Sequence, residues 1–151
     1  MMKKTVVVGI GNEIMGDDGV GIVAVREAQR LFPDLADYIE APVGGLQLIE
    51  SLSGYQRAIL IDSVEGETAG KIHRLSADEA FAQPKLASPH DIDFGTALAL
   101  AKELNLPIPE DIIVLAVEVK NAHTFGERLS DEIKAAMNEL LIQIAALLKD
   151  F

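Results

Sequence analysis

Cysteine is absent from the sequence. Its absence excludes disulfide bonds, thiolate nucleophiles and metal sites built from thiolates, and it leaves the redox compartment open. Long apolar runs are also missing: hydrophobic residues make up 49% of the chain, but no stretch approaches the roughly 20 apolar residues of a membrane-spanning helix. Because the first residues do not form a basic and apolar leader, we expect a cytoplasmic protein.

Basic residues are scarce relative to acidic ones. The chain has 13 Lys and Arg against 24 Asp and Glu, which gives a net charge of −11. This charge would repel nucleic acid and anionic membranes, so we expect neither as a partner. A cationic partner or a metal ion suits the charge better, although solubility alone is the simpler explanation.

The length and the order of apolar patterns predict one domain of the α/β class. A chain of 151 residues can bury roughly 70% of its unfolded surface, so a single domain over residues 1–151 is expected. Strands are predicted over residues 5–8, 38–41, 57–62, 70–75 and 112–119, and helices over 20–31, 46–52, 93–104 and after Ser130 as N-cap. Residues 76–89 are predicted to form a long connection.

Alternation of these strands and helices predicts a three-layer α/β/α sandwich. Its sheet should contain about five strands, mostly parallel, because the connections between most of them are helical. The strand over residues 70–75 has an alternating pattern, which predicts an edge strand antiparallel to the rest. His73 in that strand is interpreted as a surface residue.

The loop that leaves the first strand, residues 9–21, contains five glycines together with Asp17 and Asp18. The third glycine of a dinucleotide-binding fingerprint is missing, and two aspartates would repel a pyrophosphate, so we do not expect nucleotide binding. One aspartate could simply cap the following helix. A cap needs only one carboxylate, and we therefore expect Asp17 to cap a helix or point elsewhere while Asp18 has another role.

Asp62 and His90 are the other candidate site residues. Asp62 ends a predicted strand, and open α/β sheets bind their ligands at the carboxyl ends of strands. His90 follows a proline before a predicted helix, a place where a capping or packing histidine would also occur. Together with Asp18 they would form an open ligand set for a divalent transition metal.

The sequence resembles the hydrogenase maturation proteases, endopeptidases that trim the C-terminal extension of the nickel-iron hydrogenase large subunit. Residues 9–21 are similar to the opening Gly-Asn and acidic-pair signature of that family. Further matches follow in the family's order and spacing: Gly44-Gly45-Leu46 with Leu48, the strand ending in Asp62, Ser88-Pro89-His90, Val117-Glu118, Gly126 and Leu129-Ser130.

The resemblance implies roles for individual residues. It assigns both metal contact and catalysis to Asp18, Asp62 and His90, and substrate contact to Gly44, Gly45 and Asp17. Some relatives carry glutamate at the Asp18 position, and many carry proline where this chain has Val119, so the role of Glu118 is left open.

The resemblance also implies that the metal is nickel supplied by the substrate, with no organic cofactor, and that the partner is the precursor of the large subunit. A metal-polarised carbonyl or a metal-activated water, with a carboxylate as base, would be sufficient chemistry. Three alternatives stay open. One is a non-catalytic nickel-sensing escort of the precursor, and another is a small-molecule hydrolase or phosphorylase. The third is a serine nucleophile at Ser63 or Ser88, which lack a recognisable elbow pattern.

Overall fold

The computed structural model describes residues 3–41, 46–81, 97–120, 125–126 and 128–150. Its sheet has five strands in the order β2-β1-β3-β5-β4. Neighbouring strands are parallel except β4, which lies at one edge and runs antiparallel to β5. The predicted mostly parallel sheet with one antiparallel edge strand is therefore confirmed. The strands are β1 Lys3–Ile10, β2 Asp37–Ala41, β3 Tyr55–Glu65, β4 Ile72–Ser76 and β5 Asp111–Val119.

Helices cover both faces of this sheet. In the described residues they are a 3-10 turn over Gly16–Gly19, α1 Val20–Leu31, α2 Leu46–Leu52, α3 Ala77–Phe81, α4 over residues 97–103, and α5 Asp131–Lys149. Buried side chains of α1 and α5 pack against one face, and those of α2, α3 and α4 pack against the other. This confirms the predicted three layers. None of the helices in the described ranges is both long and apolar enough to cross a membrane.

Strand β1 is buried on both faces. Val6 and Val8 belong to the core under α2, α3 and α4, while Val7 belongs to the core under α1 and α5. All three side chains have no exposed surface. A strand in this position needs apolar residues at consecutive positions, which explains why its sequence shows no polar alternation.

Helix α3 lies inside residues 76–89, which were predicted to form a connection. That prediction is wrong for residues 77–81. The helix begins with a capping box. The Glu79 N–H donates to Ser76 Oγ at 3.1 Å, and the Ser76 N–H donates to Glu79 Oε1 at 3.3 Å. The Ser-x-x-Glu spacing was visible in the sequence as a helix-start signal.

The start of α1 packs closely against Ile10 of β1 and Ile61 of β3 because glycine occupies the contact. A Cβ atom on Gly21 would lie 2.3 Å from the Ile61 carbonyl oxygen and 2.6 Å from that of Ile10. A Cβ on Gly9 would lie 2.2 Å from the Gly21 carbonyl oxygen. Both contacts are with backbone that cannot turn aside, so no larger side chain fits. The close approach brings the acidic loop directly over the sheet edge.

Candidate active site at the carboxyl edge of the sheet

Asp18 lies in the 3-10 turn that follows β1, and only 8% of its surface is exposed. Its Oδ2 accepts the Asn12 N–H at 3.0 Å, and its Oδ1 accepts the Ser63 hydroxyl at 2.8 Å. Gly11 permits this fold of the loop, since a Cβ there would lie 2.1 Å from the Asp18 carbonyl oxygen. Donors on both oxygens stabilise the ionised carboxylate and hold its orientation.

Asp62 lies in β3 and is 2% exposed. Pairing between β1 and β3 ends at Gly9 and Ile61, so Asp62 is the first residue of β3 beyond β1. The strand itself continues beside β5 to Glu65, so the prediction that it ends at Asp62 is wrong by three residues. Its Oδ1 accepts the Ser63 N–H at 2.8 Å. Ser63 therefore bonds to both predicted acids, to Asp62 through its backbone and to Asp18 through its hydroxyl. Both predicted acids thus contact Ser63; their convergence with His90 on one ion stays a prediction.

Asp17 has a different partner from Asp18. Its Oδ1 accepts the backbone N–H of Ser130 at 2.6 Å, which joins the acidic loop to the start of α5. Ser130 is the N-cap residue of α5, as predicted, but its hydroxyl makes no capping hydrogen bond. The helix start is instead fixed through the Ser130 backbone. Asp17 thus points to another helix, which was one of the two roles expected for it; contact with substrate stays a prediction.

The segment before α5 also pairs with the acidic loop. Gly126 donates its N–H to the Ile14 carbonyl at 2.8 Å and accepts the Gly16 N–H, forming an isolated parallel bridge with Met15. These bonds place the segment around Gly126 and Ser130 beside residues 14–17. The acidic loop and the segment around Gly126, which are far apart in the sequence, are therefore hydrogen-bonded neighbours in the fold.

Arg26 supports the outer side of the acidic loop. Its guanidinium contacts Glu13 of the loop and Glu40 of β2, each at 2.8 Å. The hydrogen bond and the charge of Arg26 lower the pKa of the Glu13 carboxyl below its usual value. All three side chains are about half exposed, so the pairs orient the loop more than they stabilise the fold.

The comparison with protein families decides what kind of protein carries this site. A model of a family described as HycI, hydrogenase maturation protease, matches residues 20–147. The chain belongs to the hydrogenase maturation protease family. Among curated proteins, the hydrogenase expression/formation protein HupD of Thiocapsa roseopersicina is 28% identical over 136 residues, which are 87% of this chain and 61% of that protein. HoxM of Cupriavidus necator is 26% identical over 149 residues, 95% of this chain and 73% of that protein.

These two relatives are longer than the part that matches, since this chain spans 61% and 73% of their lengths. Among solved structures, the hydrogenase maturating endopeptidase HybD from E. coli superimposes with a TM-score of 0.86 at 19% identity, over 97% of this chain and 93% of that one. At that identity the likeness shows a shared fold. The family membership and the α/β/α fold thus agree with the resemblance seen in the sequence.

In this member of the hydrogenase maturation protease family, the ligand set predicted for a metal extends beyond the described residues. Within the described ranges, no group of three or more His, Cys, Asp or Glu side chains could hold a metal ion. His90, Gly44 and Gly45 lie outside those ranges. Asp18 and Asp62 are the predicted ligands whose surroundings are described. Carboxylates are common ligands of divalent cations, so both residue types fit such a role.

Glu118, whose role in the maturation proteases the sequence left open, holds the turn between β3 and β4. Its carboxylate accepts the Thr68 N–H and lies 2.9 Å from His73 Nε2. The hydrogen bond from His73, followed by that from Thr68, lowers the pKa of the Glu118 carboxyl below its ordinary value. His73 is half-buried and paired, so its interpretation as a plain surface residue is corrected. The contact of Glu118 with His73 on the neighbouring strand and with Thr68 in the turn therefore gives this acid a structural role.

Proposed function

We propose that this protein is a cytoplasmic endopeptidase that removes the C-terminal extension of a nickel-iron hydrogenase large-subunit precursor after nickel has been inserted. One observation carries the proposal: the buried carboxylates of Asp18 and Asp62 are hydrogen-bonded to the same residue at the carboxyl edge of the sheet. Two carboxylates close to one residue favour the binding of a divalent cation, because carboxylate oxygens are among the ligands that such ions take. In a hydrogenase maturation protease, a cation presented by the substrate is the fitting partner.

Nickel would enter this site as part of the substrate. Asp18, Asp62 and His90 would contact it, and substrate contacts at Gly44, Gly45 and Asp17 belong to the same proposal. A closed structural metal site usually has four protein ligands, whereas three leave room for ligands from the precursor. The three residues would therefore complete a coordination sphere that the precursor has begun, and they would recognise the nickel-loaded form.

The reaction would be hydrolysis of one peptide bond. Water adds to the carbonyl carbon, the carbon–nitrogen bond breaks, and the departing amine takes up a proton. Nickel close to the bond would polarise the carbonyl or acidify the water, and a carboxylate at the site would accept the proton of the water. The buried positions of Asp18 and Asp62 favour this chemistry because electrostatic effects are stronger away from bulk water.

Nickel-free and nickel-loaded precursor, each incubated with the purified protein, would test the proposal. We expect the C-terminal fragment, followed by intact mass spectrometry, to appear only with the nickel-loaded form. Equal cleavage of both forms would contradict recognition through nickel. Binding of the loaded precursor without any fragment would instead indicate an escort.

A further inference from the structure

Ser63 is the residue through which the two acids are connected. It lies in β3 directly after Asp62 and is 5% exposed. Its backbone N–H donates to Asp62 Oδ1 at 2.8 Å, and its hydroxyl donates to Asp18 Oδ1 at 2.8 Å. The backbone bond would survive any side chain at this position. The hydroxyl bond depends on serine and therefore can be tested separately.

The hydroxyl bond restricts the Asp18 carboxylate. Asn12 holds the opposite oxygen, Oδ2, from the loop side at 3.0 Å. With one donor on each oxygen, rotation of the carboxylate would break a bond in a place that is largely closed to water. Removal of the hydroxyl would keep the Asn12 bond to Oδ2 and would weaken the hold on Oδ1.

We infer that Ser63 is a positioning residue, which orients the Asp18 carboxylate toward the substrate cation. This inference rests on the proposed function and adds a residue to it. A displacement of a reacting group by about 1 Å can cost on the order of 100-fold in rate, so the orientation of a short side chain such as aspartate matters. Glutamate at position 18 would carry its carboxylate one methylene further, beyond the point that Ser63 holds.

Replacement of Ser63 tests the inference on cleavage of the nickel-loaded precursor. In Ser63→Ala we expect kcat/KM to fall by about 10- to 100-fold, the size expected for losing one hydrogen bond to a buried charge. Ser63→Thr keeps a hydroxyl donor and should restore most of the activity. Ser63→Cys keeps the volume but is a weak donor, and it should be intermediate. Thermal unfolding checks that each variant is folded. If Ser63→Ala does not fold, the activity of Ser63→Cys is used as the test instead.

A double-mutant cycle separates positioning from a merely structural role. In an Asp18→Glu background, Ser63→Ala should cost less activity than it does with Asp18, because the glutamate carboxylate no longer depends on the same donor. A packing role for Ser63 would cost the same in both backgrounds. Equal losses in the two backgrounds would therefore overturn the inference.

The remaining outcomes distinguish the two proposals. Full kcat/KM in Ser63→Ala, in a protein whose Asp18→Asn variant is inactive, would overturn the positioning role and leave the proposed function intact. Complete inactivity of both Ser63→Ala and Ser63→Thr would indicate a serine nucleophile and would also overturn it. A wild-type protein that leaves the nickel-loaded precursor uncut would overturn the proposed function.

Discussion

Folding removes the carboxylates of Asp18 and Asp62 from water, and hydrogen-bond donors of the protein replace the lost water molecules. Asp18 has donors on both oxygens, and Asp62 has the Ser63 N–H. Polar residues near the carboxyl ends of the strands of an α/β sheet contribute more to ligand binding than to the core. Their charge should therefore matter to catalysis more than to folding.

Substitution of the acids and of His90 should separate catalysis from stability. We expect Asp18→Asn, Asp62→Asn and His90→Ala to lower processing of the nickel-loaded precursor by at least about 100-fold, because each removes a proposed ligand. Asp→Asn is nearly isosteric, so circular dichroism should still report a folded protein. The exposed Asp34→Asn is the matched control and should keep full activity. Full activity in all three site variants would indicate that these residues are caps and turns.

Glu118 gives a prediction about stability and pH. The pKa of its carboxyl is lower in the folded protein than its ordinary value of 4.5. The ionised group therefore stabilises the fold above about pH 4.5, and this contribution is lost as the pH falls through the lowered pKa. Glu118→Gln should be less stable than wild type at pH 7, by about 1 kcal/mol. Urea unfolding should show the difference between the two proteins shrinking as the pH falls through the lowered pKa, and a constant difference would contradict the assignment.

At the scale of elements, the contact of α1 with β1 and β3 determines where the acidic loop lies. Gly21 makes the contact possible, since a Cβ there would meet two backbone carbonyl oxygens. Gly21→Ala should destabilise the protein by about 3 kcal/mol, because the helix must move away from the strands. Gln29→Ala, an exposed change in the same helix, should alter the stability by less than about 0.5 kcal/mol. Equal urea midpoints for the two variants would show that the helix start can shift freely.

Local sequence patterns were sufficient to predict the layers and the edge strand. Buried runs such as that around Val7 require a central strand, and an alternating run such as that around His73 fits an edge. Helix α3 was missed although its capping box, Ser76 to Glu79, was readable. The bond from Ser130 to Asp17 joins residues 113 apart in sequence and has no local signal. Long-range pairs of this kind depend on how the elements pack, and propensities do not contain them.

The candidate site was predictable to a similar extent. Asp18 and Asp62 could be placed near each other because they were assigned to the carboxyl ends of strands that were expected to be neighbours. Strand β1 does pair with β3, although β3 runs three residues beyond Asp62. Ser63 could not be recognised as their connection, because its role depends on the register of β1 with β3 and on the shape of the 3-10 turn. The pairing of His73 with Glu118, whose role the sequence left open, could not be recognised for the same reason, since the antiparallel pairing of β4 with β5 brings them together.

At the scale of the whole molecule, the proposal that the precursor supplies the nickel and this protein supplies only ligands can be tested by metal removal. The chain has no cysteine and a net charge of −11, so it offers carboxylate and imidazole ligands in an acidic surrounding and no thiolate. Carboxylates and a single imidazole bind a divalent ion less firmly than sites with thiolates or several imidazoles. A nickel ion already held by the precursor would add the missing ligands itself.

We therefore expect the protein to remain active after its own metal is removed. Treatment with EDTA, followed by removal of the chelator on a desalting column, should leave cleavage of the nickel-loaded precursor within about 2-fold of the untreated protein, because under the proposed function the ion would arrive with the substrate. The same treatment should leave the thermal midpoint unchanged, since no bound ion would be lost from the folded state. Intact mass of the C-terminal fragment is the measurement, and Asp62→Asn treated in parallel gives the background. Activity lost with EDTA and restored by added nickel or zinc would instead indicate a resident metal, and recognition could not then reside in the nickel of the precursor alone.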